Sequence, residues 1–349
     1  MRDYAMSTLP QKVTTNLRFW LGAYRNAQIS RIGIVRSFRN RQYWPKKELF
    51  STRHTLKSAI CHAPFWLVAG LLVANAHAQR LNETSWYGPA LTHHQDTAIL
   101  AWTGTDDHLN VMQSYDGVSW EAETRLAERS KHPPALASLG RYVYIAWTGT
   151  DKHINVMRSR DGVEWRTKIR LDEESDLEPA LATLNGTLYL IWRGRGNKKI
   201  NILQSEDGID WESKTRLEET AQDRPAIAAH NGRLYISWTG VGNGKLNIMR
   251  SRDGIEWRAK IRLDEESDDG PALCSFRDRL YLAWVGRRNG KLNVMRSEEG
   301  VDWSGKIRLD QTTKKSPAMA SFGEALLVGW IGEHDHRINI ARSEDGVDF

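Results

Sequence analysis

The chain has 349 residues, 40% of them hydrophobic and 26% charged, with two cysteines and a formal charge of +6. That charge is lopsided: residues 1–78 hold twelve Lys and Arg against two Asp and Glu, whereas the remainder holds 37 against 41. The body is therefore mildly acidic, which argues against a nucleic-acid partner needing clustered Lys and Arg, and its single cysteine excludes a disulfide-stapled fold.

Residues 1–52 are basic and show no foldable pattern, so they read as a disordered leader or as sequence ahead of the true start. In 53–78, Arg53 and Lys57 precede the apolar run Phe65–Ala74, and Ala76-His77-Ala78 follows as a small-x-small site before Gln79. These are the charged, apolar and cleavage regions of a secretory signal. The run is shorter than the roughly 20 residues of a membrane span. Export to the periplasm or the outside is expected, with a retained anchor as the alternative.

From residue 79 the chain repeats. Trp102, Trp147, Trp192, Trp238, Trp284 and Trp330 recur at steps of 45 or 46 residues, as do the prolines from Pro89 to Pro317 and the asparagines from Asn110 to Asn339. Each copy holds four strand-like runs between turn residues, in the fourth copy 225–229, 234–239, 245–251 and 257–263. Four short strands per repeat, six times over, predict an all-β, six-bladed β-propeller with four antiparallel strands per blade. The second run is apolar on both faces, as a strand between blades requires. In the fourth run, Trp257, Ala259, Ile261 and Leu263 are expected to face inward and Arg258, Lys260 and Arg262 outward, an edge that discourages pairing between molecules. Arg80-Leu81-Asn82-Glu83 matches Arg170-Leu171-Asp172-Glu173, so residues 79–84 are expected to supply the sixth blade's outer strand and close the ring.

Between the third and fourth runs stands S-x-D-G-x-x-W, as SRDGVEW at 159–165 and SRDGIEW at 251–257. Asp116, Asp161, Asp207, Asp253 and Asp345 carry the acidic position, with Glu299 in the fifth copy. The motif resembles the Asp-box, or bacterial neuraminidase repeat, of the sialidase-like propellers, with one residue fewer between Asp and Gly. The likeness covers 79–349. Here the acidic residue is read as a turn cap and the glycine as the left-handed residue of a hairpin, a structural role. The resemblance implies an active site on the opposite face, built from an arginine triad, a Tyr–Glu pair and an Asp. Arg80, Arg125, Arg170, Arg216, Arg262 and Arg308 form instead a symmetric outward column, and Tyr144, Tyr189, Tyr235 and Tyr281 form another that reads as packing. The body lacks the Arg-Ile-Pro motif near the start of such enzymes. A conventional sialidase is disfavoured.

Ligands are expected at loops joining the second to third and the fourth to first strands. The latter are acidic, at 172–176 and 264–269, and read as a solvated rim. The former vary most; Arg193, Arg195, Arg287 and Arg288 make the third and fifth locally basic, and His334-Asp335-His336 marks the sixth. The Trp102 column at the mouth of these loops could stack sugars or pack blades together. No metal or cofactor site is read. The expected function is a monomeric, exported binding module for glycans, with repeated sites formed by the Trp column and these arginines. A scaffold for extracellular proteins is the alternative, and a divergent glycoside hydrolase the second, requiring one symmetry-breaking acidic cluster near the axis.

Overall fold

The computed structural model describes residues Ala78–Phe349. The basic leader and the export signal lie outside the described residues, Ala78 excepted. The body forms six four-stranded antiparallel sheets. In blade 4 the strands are Ala226–His230, Arg233–Thr239, Lys245–Ser251 and Trp257–Glu266, from the axis outward. The innermost strand of each blade contacts those of both neighbours, which closes the ring. The sixth sheet is completed by Gln79–Thr84, paired with Arg337–Ser343. Arg80 lies opposite Asn339, as Arg125 lies opposite Asn110, so the first strand occupies the outer place expected for it.

Blades need two apolar faces because each packs on two others, and the core divides accordingly into layers between blades. One layer sets Ile191, Ile200 and Ile202 of blade 3 against Ile227, Ile236 and Trp238 of blade 4. Along the axis, Leu91, Leu136, Leu181, Ile227, Leu273 and Met319 line the channel from both ends, separating an upper space from a lower one. The Asn110 column is satisfied locally: each Nδ2 donates to the carbonyl two residues earlier, at 2.7–3.0 Å.

One expectation fails. Ala259 does not face inward; it is exposed, with φ of +54°, at a register shift in the outer strand. Ala122, Thr167, Ser213 and Gly305 take the same left-handed conformation. The bulge breaks the two-residue alternation and bends the outer strand over the blade.

The S-x-D-G turn is a cap, as its residues imply. Asp253 Oδ1 accepts the N–H groups of Ile255 and Glu256, each at 2.9 Å, and Ser251 Oγ accepts that of Gly254 at 2.9 Å. Those donors hold the Asp253 carboxyl below its usual range, and the same holds for Asp116, Asp161, Asp207 and Asp345. The turn also reaches the preceding blade. Tyr144, Tyr189 and Tyr235 donate their hydroxyls to the carbonyls of Asp207, Asp253 and Glu299. In the fifth turn Glu299 stands for Asp, and Ser297 Oγ is buried without a partner. Glu299→Asp should restore the cap and raise stability by about 1 kcal/mol; urea denaturation read by tryptophan fluorescence checks this, and no gain would mean that the longer side chain already serves.

Candidate functional site at the axial mouth

The site is set by the two residues before each blade's opening proline. A Ser or Thr two residues upstream accepts the N–H of Tyr87, His132, Leu177, Asp269 and Lys315. The last residue of the second strand then fastens the next blade's segment. Thr103 Oγ1 donates to the His132 carbonyl at 2.7 Å, Thr148 to that of Leu177 at 2.6 Å and Thr239 to that of Asp269 at 2.9 Å. The backbone thus follows one course in most blades, while the pair of side chains it presents differs in every blade: Tyr87-Gly88, His132-Pro133, Leu177-Glu178, Asp223-Arg224, Asp269-Gly270 and Lys315-Ser316.

Blades 3, 4 and 5 contribute acids around one guanidinium. Arg224 Nε lies 3.0 Å from Glu178 Oε1, with the two side chains 12% and 7% exposed. This contact is an ion pair, because the N–H is not aimed at the carboxylate. Arg224 Nη2 donates to the Pro317 carbonyl at 2.8 Å, so one side chain links blades 3, 4 and 6. Ser316 Oγ donates to Asp269 Oδ1 at 2.7 Å. Gly270 is required for this closeness, since a Cβ there would lie 2.4 Å from Arg224 Cγ. Burial pushes Glu178 up, with Arg224 opposing. Burial, then the charges of Asp269 and Glu178, push Asp223 up to about 8. Burial and the neighbouring acids thus favour the protonated form of Asp223, the arrangement that general acid catalysis and hydroxyl recognition both use.

The other side of the mouth is aromatic. The Tyr87 and His132 rings are 6.2 Å apart, and Lys315 Nζ lies 5.9 Å from the Tyr87 ring. Burial, assisted by Lys152, lowers His132 to about 4, so it is neutral at physiological pH. Trp86, the residue before Tyr87, is 47% exposed and packs against His336 with ring centroids 4.4 Å apart and planes tilted by 59°. Among the described residues it is the one exposed tryptophan. Beneath the mouth the axial channel holds only about 80 Å³, room for water and too little for a sugar ring.

The residues singled out from sequence lie elsewhere. Trp102, Trp147, Trp192, Trp238, Trp284 and Trp330 are at most 1% exposed and cannot offer a face to a ligand. Their environment shows why: Lys168, Lys214, Lys260 and Lys306 hold ammonium groups 5.3–5.6 Å from the rings of Trp147, Trp192, Trp238 and Trp284. Each of these lysines also pairs with a glutamate of the preceding blade, Glu128, Glu173, Glu219 or Glu265. The indole column is cement between blades. Arg193 donates to the Gln222 carbonyl at 3.0 Å and acts as a strut. Arg195 pairs with Glu174 and Asp176, and Arg287 with Asp268 and Glu266, so basic loops and acidic rim neutralise each other. Arg288 is exposed in its loop. Arg80 engages Asp335 at 2.5 Å, which occupies the centre of the His-Asp-His triplet.

Neither a comparison with family models nor one with curated proteins finds a match. Solved structures do match. A Hadza microbial sialidase is 15% identical with a TM-score of 0.57, over 74% of this chain; the chain spans 65% of that sialidase's length. A lectin from Burkholderia pseudomallei is 15% identical over 78% of this chain and 82% of its own, with a TM-score of 0.55. The Aleuria aurantia lectin, described as a six-bladed β-propeller with a novel fucose recognition mode, is 11% identical over 76% of this chain and 93% of its own, with a TM-score of 0.57. At such identities the likeness establishes the fold: a six-bladed β-propeller, whose structural neighbours are of sialidase and lectin type.

Proposed function

We propose that the chain is an exported carbohydrate-binding propeller that meets a glycan at the axial mouth. The carrying observation is the exposed Trp86 indole beside the ring where the repeat ceases to repeat. An indole face receives the C–H face of a pyranose, and the Asp223, Asp269 and Ser316 side chains across the mouth supply the hydroxyl partners that orient it. Export rests on the apolar run ahead of Gln79. The sialidase and lectin neighbours lend the reading support, since both their names concern sugars.

A second reading has its own observation. Asp223, its pKa raised by burial and by Asp269 and Glu178, is the acid that a glycoside hydrolase at the same mouth would need. One experiment addresses both. The full chain is screened on a glycan array and against chromogenic glycosides, beside Trp86→Ala and Asp223→Asn. Binding reduced at least tenfold by Trp86→Ala, without turnover, is the expected result. Turnover abolished by Asp223→Asn would replace the binding reading with the enzyme, and binding indifferent to Trp86→Ala would refute the placement of the site.

A further inference from the structure

At the opposite end of the strands, two cavities of about 470 and 430 Å³ open at the S-R-D-G turns of blades 2 and 4. The same positions of the repeat line both. In blade 2 they present Tyr142, Arg158, Arg160 and Arg166 beside Asp161 and Glu164; in blade 4, Arg233, Arg250, Arg252 and Arg258 beside Asp253 and Glu256, and Asp161 and Asp253 are taken up by the N–H groups of their own turns. The guanidinium carbons of Arg158 and Arg160 lie 4.5 and 5.5 Å from the Tyr142 ring centroid, and Arg160 Nη2 donates to the Tyr142 hydroxyl at 3.3 Å. Arg158 Nη1 donates to the Asp207 carbonyl at 3.1 Å, and Arg250 Nη1 reaches the Glu299 carbonyl at 3.4 Å, which anchors each at the next blade.

Carboxylates do not consume these groups. Glu164 pairs with Arg166 and Glu256 with Arg258, yet among the described residues no carboxylate pairs with Arg158, Arg160, Arg250 or Arg252. Blade 3, between the two cavities, carries Thr187, Gln204, Glu206 and Glu212 at the matching positions. The basic surface is therefore two separate wells divided by an acidic blade. A continuous polyanion such as a nucleic acid needs an unbroken basic track, and this surface has none. Each well is instead of a size for one sugar unit. A lone carboxylate is satisfied by a single guanidinium fork, whereas a tetrahedral oxyanion has three terminal oxygens to share among several.

We infer that each well binds one saccharide unit bearing a tetrahedral oxyanion ester, a sulfate or a phosphate, giving the propeller two related acidic-sugar sites on the face away from the axial mouth. The inference rests on the carbohydrate-binding reading but on different residues. Two sites on one rigid ring would engage a surface crowded with such groups together, and avidity would exceed the affinity of either well.

Calorimetry on the full chain tests this with glucose 6-sulfate, glucose 6-phosphate, glucuronic acid and glucose, and immobilised dextran sulfate beside neutral dextran reads avidity. Two sites are expected for a charged ester and none for glucose; the sulfate and phosphate arms identify the source of the oxyanion. Arg160→Ala should leave one site and weaken capture by dextran sulfate about tenfold or more. Arg160→Ala/Arg252→Ala should leave none, with an unchanged melting midpoint, and Arg216→Ala, on the outer edge of acidic blade 3, should change nothing. A double variant that still binds, a stoichiometry of one, equal binding of glucuronic acid, or no binding of either ester would overturn the inference. None of these outcomes depends on Trp86, so neutral-glycan binding lost with Trp86→Ala and kept in the arginine double variant separates the two sites.

Discussion

Gly208→Ala should destabilise the propeller by about 3 kcal/mol or more, the largest effect of any single methyl added to a turn. Its φ is +72°, and a Cβ would lie 2.0 Å from Tyr144 Cε1 on the preceding blade. Gly254 and Gly300 meet Tyr189 and Tyr235 in the same way, each at 2.3 Å. The glycine therefore serves two neighbours: its own hairpin, which needs a left-handed residue, and a ring from the preceding blade, which needs its missing side chain. Removing only the hydroxyl, in Tyr144→Phe, should cost about 1 kcal/mol through the bond to the Asp207 carbonyl. Urea denaturation of the two variants separates the contributions. A loss below 1 kcal/mol for Gly208→Ala would mean that the turn swings free of its neighbour.

Arg224→Ala should cost about 3–5 kcal/mol at pH 8, because it leaves Glu178 buried without its ion-pair partner. The pH dependence has a definite sign. A carboxyl whose folded pKa is raised costs nothing below its unfolded pKa, and its penalty grows as pH rises toward the folded value. Glu178 and Asp223 are both raised, so the loss caused by Arg224→Ala should shrink at pH 5, where Glu178 takes a proton. The turn aspartates run the other way: their depressed pKa values contribute stability above about pH 4 that is lost on acidification. The intact chain should accordingly be most stable in mildly acidic solution. Denaturation midpoints from pH 4 to 9 check both statements, and equal losses at pH 5 and pH 8 would refute the buried-charge account.

The blades, their strands and the ring closure were legible because they rest on columns that repeat, and a repeated column reports a repeated environment. The same logic misplaced the tryptophans. Trp147 and its equivalents take their meaning from Lys168 and Glu128, themselves members of repeat columns, which together cover the indole. The spacing of 40 residues between that lysine and its glutamate shows a contact between adjacent blades. The arginines at 193, 195 and 287 failed for a related reason: charge in one loop was counted without the opposite charge the ring brings beside it. The axial mouth left a subtler trace. Positions 87, 132, 177, 223, 269 and 315 fall in strict register before each proline, yet no two carry alike residues except Asp223 and Asp269. Where a repeating chain keeps its spacing and abandons its residue type, local folding no longer dictates the side chain. Trp86 lies one residue outside that column, and only its exposure in the folded ring distinguishes it from six buried counterparts.

The strand that closes the ring also sets a clock. Asn82 Oδ1 accepts a hydrogen bond from Arg337 Nη1 at 2.9 Å, across 255 residues of sequence. At synthesis rates of about 5–20 residues per second, the two ends of that bond leave the ribosome roughly 13–50 s apart. Throughout that interval the early blades exist as an open arc, with the flank of blade 1 and the strand 79–84 both waiting for partners not yet made. Such an arc cannot lock, so the chain stays pliable and is open to misassembly with a second copy. Ring closure is a single late event, and it converts an open arc into a rigid ring.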